Sequence, residues 1–340
     1  MNQRFAQDPW DSDLFGLLYG YRFRPGERGQ ELDSNAALRW LSTSGEGEED
    51  FAWLHLNLAH VACERWMKSH LELPDTFFET LREGSRSTRI EHVDGALLAV
   101  VNDVVFNFGS VSSDVATLWV CARSRLLITA RMQPLRSVDR LRSSVRHGES
   151  FGSPVELLVH LLRDQGDILT QIVRETTVGV DNIEDRLLSQ NLSDNRADLG
   201  AMRRVLVRLQ RLLALEPSSL LRLLNRPPRW LKEADVLDLR EATEEFSLVI
   251  NDLTALGERI KLLQEEIAAQ INEQSNRTLF TLTVVTVLAL PINIVAGFFG
   301  MNVGGVPLAS DPHGFWVLVM LVASFTLLAW RWAFRKRDDA

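Results

Sequence analysis

Residues 278–310 contain no aspartate, glutamate, lysine, arginine or histidine, a run of 33 positions. An α-helix needs about 20 residues to cross a hydrocarbon core, so this run constrains the chain more than any other feature. It is too long for a helix buried in a globular core, and no polar face along it could meet water. A second run, Gly314–Trp330, has 17 uncharged residues, with Trp316, Trp330 and Trp332 near its ends. Indole rings favour that depth, at the membrane interface. The basic stretch RWAFRKR follows the second run and Arg277 precedes the first. By the positive-inside rule both flanks face the cytoplasm, and the loop around 303–313 faces outward. The expectation is a two-span hairpin in a cell (inner) membrane, carrying a large cytoplasmic body.

The remaining composition fits that body. Net charge is -8 and no basic stripe stands out, which argues against nucleic acid as a partner. Two cysteines, Cys63 and Cys121, are too few for a disulfide framework and suit a reducing compartment. The opening residues MNQRFAQDPWDSD have no apolar segment of the signal-peptide kind, so no cleavable signal is expected.

Residues 1–150 read as α/β. FAWLHLNL (51–58) alternates with period 2, the pattern of a half-buried strand. Residues 96–108, 115–121 and 126–130 are rich in β-branched residues and bounded by turn formers, so they too read as strands. Helices are expected over Val61–Ser69, Asp75–Arg82 and Pro134–Arg146, and loops over STSGEGEED and REGSRS. From Ser153-Pro154 the pattern turns helical over 155–190 and about 196–215, with breaks at 191–195 and at NRPPRW.

From about Leu231 no proline occurs until Pro291. Phe246, Val249, Leu253, Leu256, Ile260, Leu263 and Ile267 recur at 3-4 spacing, a heptad seam. The acids along this stretch, Glu244, Glu245, Asp252, Glu258, Glu265 and Glu266, read as a solvated face. A helix from about 231 to 300 would be ~105 Å long, and such a stalk needs partner helices. The organisation expected is a cytoplasmic α/β domain (1–150), a helical region with a long stalk (151–277), a first span (278–302), an outer loop (303–313), a second span (314–332) and a basic tail (333–340).

The first span carries polar groups that a simple anchor does not need. Stepping at 3-4 spacing places Asn276, Leu279, Thr283, Thr286, Leu290, Asn293 and Gly297 on one stripe, with Leu282 beside Thr283. Polar rings alternating with apolar rings suit a pore that gates by dewetting; a polar helix–helix contact is the alternative. Two spans cannot enclose a pore, so conduction requires several copies around an axis. At the end of the span Gly300, Gly304 and Gly305 can stop the helix, leaving carbonyls that carry partial negative charge. Those carbonyls and the Asn302 side chain offer neutral oxygens to a hydrated divalent cation.

This layout, and above all PINIVAGFFGMN with Pro291, Gly297 and Gly300-Met301-Asn302, resembles the CorA superfamily of divalent-cation transporters. The resemblance implies a funnel-shaped homopentamer in a lipid bilayer, with the first span lining the pore. It implies Gly300 and Asn302 at the outer selectivity entrance, and Leu290, Asn293, Thr286 and Asn276 facing the axis. The magnesium-transporting pattern has an acidic residue soon after the tripeptide, where this chain has VGGVPLASDPHG. That loop, with WLHLNLAH, looks like the ZntB zinc-transporter branch, which implies Zn²⁺ uptake coupled to protons. The intact Gly-Met-Asn points toward a CorA-type Mg²⁺ channel instead. The transported ion is then Zn²⁺ or Mg²⁺, with no cofactor.

Two further candidates come from residue chemistry. His60 and Cys63, one turn apart, are ligand types that zinc accepts. Asp311 and His313, the ionisable groups of the outer loop, could attract a cation or relay a proton. No phosphate-binding loop, nucleotide fingerprint or nucleophile motif is present, so neither an enzyme nor ATP hydrolysis is expected. A membrane-tethered sensor or scaffold is the reading from another class.

Overall fold

A computed structural model describes residues 12–43, 50–83, 88–105, 114–188, 195–301, 307 and 311–335. Among these the chain divides into two compact units, Met1–Leu263 and Gln264–Ala340.

The first unit is built on a seven-stranded sheet of order β2-β1-β3-β7-β6-β5-β4. The strands are β1 (Leu17–Phe23), β2 (Gln30–Leu32), β3 (Phe51–Asn57), β4 (Arg89–Val93), β5 (Ala96–Val104), β6 (Val115–Ala122) and β7 (Leu126–Arg131). All neighbours are antiparallel except β3 and β7, which pair in parallel from Ala52↔Leu126 to Asn57↔Arg131. Alternation sorts each strand's side chains to two faces. Phe51 and Trp53 join a core with Leu135, the residue just before α4 (Arg136–His147), with Val138 and Leu141 of that helix, and with Leu157 and Leu161 of α5 (Pro154–Leu188). Leu54 and Leu56 join the other core, with Ala37 of α1 (Ser34–Thr43), Trp66 and Met67 of α2 (Cys63–His70) and Phe77 and Phe78 of α3 (Asp75–Glu83).

Helices on both faces explain one difference from the sequence reading. β3 is buried at every residue, not half-buried. His55, on its polar side, sits under Tyr19 and is fully paired: Nδ1 lies 2.7 Å from Thr129 Oγ1, and Nε2 accepts from Arg131 Nε at 2.9 Å. Burial and the two nearby arginines hold this imidazole well below its ordinary pKa, so it stays neutral and packs as core.

The expected strands at 115–121 and 126–130 and the three expected helices form to within two residues. β5 ends at Val104, and residues 106–108 of the longer expectation lie outside the described residues. The expected loop STSGEGEED begins inside α1, and REGSRS begins inside α3; residues 44–49 and 84–87 lie outside the described residues. β1, β2, α1 and β4 have no counterpart in the sequence reading. β1 carries Gly20 at its centre, where an added Cβ would stand 3.0 Å from the Leu32 carbonyl and from Leu54 Cδ2. β4, RIEHV, is a charged edge strand of the kind that blunts unwanted pairing.

Three helices follow α5. α6 (Asn195–Leu213) and α7 (Leu215–Leu224) divide at Ala214, because Pro217 cannot donate to a preceding turn. α8 then runs from Glu233 to Phe299 in 67 residues without a break. Its seam is buried at Phe246, Leu253, Leu256, Ile260, Leu263 and Ile267, but Ile250 takes the place read for Val249, which is half-buried. Within the first unit its partners come from its own chain. Arg259 pairs with Asp181 (2.7 Å) and Glu184 of α5, Gln210 of α6 donates to Thr254 (3.0 Å), and Ser153 donates to Asp235 (2.9 Å). α9 (Gly314–Arg335) belongs to the second unit.

Candidate functional site

The described part of α8 beyond Arg277 is apolar enough to cross a membrane: its most hydrophobic 18-residue window has a mean hydropathy of 2.2, and none of that window is buried. Among the described residues α9 adds the apolar stretch Gly314–Leu328. Val284, Leu288, Ala289, Pro291, Ile292 and Val295 of α8 are half-buried, as are Leu318, Val322 and Thr326 of α9. The stripe Asn276, Leu279, Thr283, Thr286, Leu290, Asn293 and Gly297 lies apart from that covered side and is exposed at every position.

The threonines on this stripe have a defined polarity. Thr283 Oγ1 donates to the Leu279 carbonyl and Thr286 Oγ1 to the Leu282 carbonyl, both at 2.8 Å. With the hydroxyl proton committed to the helix, the face of each threonine turned outward carries oxygen lone pairs. Thr278 and Thr281 bond back in the same way, to Gln274 and Arg277. Pro291 interrupts the ladder, since it has no N–H for the Val287 carbonyl one turn earlier. The stripe therefore presents hydroxyl oxygens and side-chain amides among apolar residues, and the charged pair Arg277–Glu273 (2.6 Å) stands before it. That chemistry favours cations over anions.

The helix ends where the sequence reading places the stop. Gly300 N donates to the Ala296 carbonyl at 2.9 Å and Met301 N makes a long 3.5 Å contact with the Phe298 carbonyl. A Cβ at Gly300 would stand 3.1 Å from the Ala296 oxygen, so the last turn is tight here. Asn302, Gly304 and Gly305 lie outside the described residues.

Asp311 and His313 do come together, in a local turn. Asp311 Oδ1 accepts from the His313 N–H at 2.8 Å, and its main-chain carbonyl accepts from Gly314 N at 3.0 Å, so Asp311 caps the start of α9. The imidazole Nδ1 is 3.7 Å from the carboxylate, and both side chains are exposed. His60 and Cys63 part company. Cys63 lies in the core with its thiol pushed up to about 12 by burial, which keeps it protonated, whereas zinc binds the thiolate. His60 is half-exposed and its Nδ1 accepts from Ala62 N at 3.3 Å. Among the described residues no group of three histidine, cysteine or acidic side chains converges as a metal site.

One surface feature escaped the sequence reading. Leu237, Leu248 and Leu262 of α8 are all 64–65% exposed and recur at intervals of 11 and 14 residues, whole helical turns, on the side opposite the buried seam. The signal was present in the spacing, masked by the acids between them.

Against known proteins, residues 48–336 match the family model described as CorA-like Mg²⁺ transporter protein. The chain is 28% identical to the divalent cation transporter CmaX of Pseudomonas aeruginosa, over 95% of this chain and 97% of that protein. It is 24% identical to the zinc transport protein ZntB of Pectobacterium atrosepticum, over 89% of this chain and 96% of that one. The solved structure of full-length CmaX superimposes with a TM-score of 0.81 at 26% identity, covering 96% of this chain and 99% of that one. The CorA magnesium transporter of Methanocaldococcus jannaschii shares the fold with a TM-score of 0.71 at 18% identity, over 92% and 96% of the two chains. The match to the family model runs from just before β3 to the end of α9, and the chain belongs to the CorA-like transporter family.

Proposed function

We propose that this protein carries divalent metal cations across a membrane through a pore formed by several copies of α8, with five copies as the working number. The observation that carries this reading is the exposed stripe on α8, whose threonine hydroxyls are turned so that lone pairs face outward. In a ring of copies those positions become rings of neutral acceptors at Asn276, Thr283, Thr286 and Asn293, separated by apolar rings at Leu279 and Leu290. A hydrated divalent ion can pass such rings through its water shell without losing it. Gly300, Met301 and Asn302 form the outer entrance, and Gly297 lets neighbouring helices approach closely. The exposed leucines 237, 248 and 262 supply the apolar contact through which copies of the stalk meet.

In this reading α9 is the second span, residues 303–313 form the outer loop, and residues 1–277 and the basic tail 333–340 lie in the cytoplasm. The protein catalyses no bond chemistry and uses no ATP. Zinc is the preferred ion. The loop after Asn302 lacks the acid that the magnesium pattern carries, and ZntB relatives named as zinc transport proteins align over most of the chain.

The test is ion flux into proteoliposomes holding the full chain. Zn²⁺ uptake exceeding Mg²⁺ uptake, and accelerated by an inward proton gradient, is expected. Mg²⁺ flux without Zn²⁺ flux would reassign the ion. Zn²⁺ flux indifferent to the gradient would remove proton coupling, and a complete absence of divalent flux would leave the tethered-sensor reading in its place.

A further inference from the structure

The turn between α4 and α5 holds a histidine between two carboxylates. His160, on the second turn of α5, has Nδ1 3.7 Å from Glu149 Oε1 and Nε2 3.6 Å from Asp164 Oδ2. Both separations are within ion-pair range and just beyond hydrogen-bond reach. Glu149 belongs to the turn and is fixed at its main chain: Gly148 closes α4 in the left-handed region (φ 94°), and Glu149 N donates to the Ser144 carbonyl at 3.2 Å. Asp164 lies one helical turn beyond His160, and its Oδ2 is buried without a hydrogen-bond donor. The imidazole edge packs at 5.5 Å against Phe151, a core residue that also meets Phe23, so the ring cannot swing away freely.

We propose that His160 is a proton-operated clasp, tying the α4–α5 turn through Glu149 to α5 through Asp164 when the solution around this unit turns mildly acidic. A neutral imidazole has one N–H and can serve one carboxylate. The protonated ring donates from both nitrogens and serves the two at once. The proton taken up resides on the ring, and the buried Oδ2 of Asp164 gains the donor it lacks.

Burial pushes the Asp164 carboxyl up to about 6, opposed by His160 and Arg140 and assisted by Asp167 and Glu149. From α4, Arg140 and His147 line a cleft of about 520 Å³ together with Glu149 and Asp164. His147 is committed to its own helix, with Nδ1 2.7 Å from the Ser143 carbonyl. On α5, Glu156 accepts from Gly152 N at 2.5 Å. Arg163, the next residue but two, reaches the other way, toward Glu241 (3.7 Å) and Glu245 (3.6 Å) of α8. Ser153, at the far end of the same turn, holds Asp235 of α8. Fastening the turn therefore steadies the segment that straps α8 at its start, whichever ion the protein carries.

Amide hydrogen exchange of residues 149–152 tests this in the full chain in detergent micelles at pH 7.5 and 6.0. After correction for intrinsic rates, exchange is expected to slow about two- to fivefold at pH 6.0, the size of two partly exposed ion pairs. His160→Gln keeps hydrogen bonding but cannot titrate, and should abolish the change; Glu149→Gln, at an exposed position, should reduce it. Equal slowing in His160→Gln, or no slowing in the unsubstituted chain, would overturn the proposal.

Discussion

At the residue scale the decisive groups are oxygens whose protons are already committed. Thr283 and Thr286 give their hydroxyl protons to the backbone, so their worth to a cation lies in lone pairs, and valine at either site removes the oxygen while keeping the shape. Thr283→Val with Thr286→Val should lower divalent flux about tenfold or more with assembly unchanged, since in the proposed pore two acceptor rings vanish together. Buried acids in the sheet unit give predictions independent of transport. Glu216, 1% exposed, accepts from Asn102 N at 2.7 Å, and burial raises its pKa well above the ordinary carboxylate value. A carboxyl held protonated resembles an amide, so Glu216→Gln should change unfolding free energy by less than about 1 kcal/mol. Glu216→Ala strands the Asn102 N–H and should cost about 1–3 kcal/mol in urea titrations. Asp103 caps α4 from β5, accepting from Ser137 N (3.1 Å) and Oγ (2.5 Å), and burial pushes its pKa from 3.8 to about 6. A folded-state pKa above the unfolded one means that the folded chain holds the proton more tightly. This contribution to stability is present below pH 3.8 and is lost as pH rises to about 6. Asp103→Asn should flatten the slope of stability against pH across that window by up to about one proton, as read from chemical denaturation; an unchanged slope would contradict the assignment.

At the scale of elements, α8 has two faces with different fates. The seam from Phe246 to Ile267 is buried, while Leu248 stays 64% exposed. Phe246→Ala should therefore cost about 3–5 kcal/mol by emptying a core site, and Leu248→Ala less than about 0.5 kcal/mol in the isolated chain. This element was the most legible in the sequence, because a long proline-free heptad and a chargeless run are strong periodic signals. The register of Ile250 for Val249 was not, since adjacent β-branched residues fit a heptad equally well until a partner helix chooses. Central strands β3, β5, β6 and β7 were readable from β-branched runs. β1, β2 and β4 were not, because Gly20, a three-residue length and a charged edge erase the pattern that burial would otherwise write. The buried groups Asn102, Gln165 and Glu216 meet across 51–114 residues of sequence, and no local spacing announces them.

At the scale of the whole molecule, a stripe of acceptors on one helix conducts nothing until copies assemble. Exposed leucines at 237, 248 and 262 offer the contact, and placing glutamate at all three should drop the particle mass to that of a monomer by light scattering while leaving the sheet unit's melting transition in place. Gly300-Met301-Asn302 was legible as a motif, and the helix stop is visible at Gly300. The central claim is that divalent ions pass through the ring that Asn302 closes. Divalent-cation flux into proteoliposomes, measured for the unsubstituted chain and for Asn302→Ala at equal assembled protein, addresses it most directly. The account predicts flux that falls to background in Asn302→Ala with the oligomer intact; undiminished flux in that variant would contradict it.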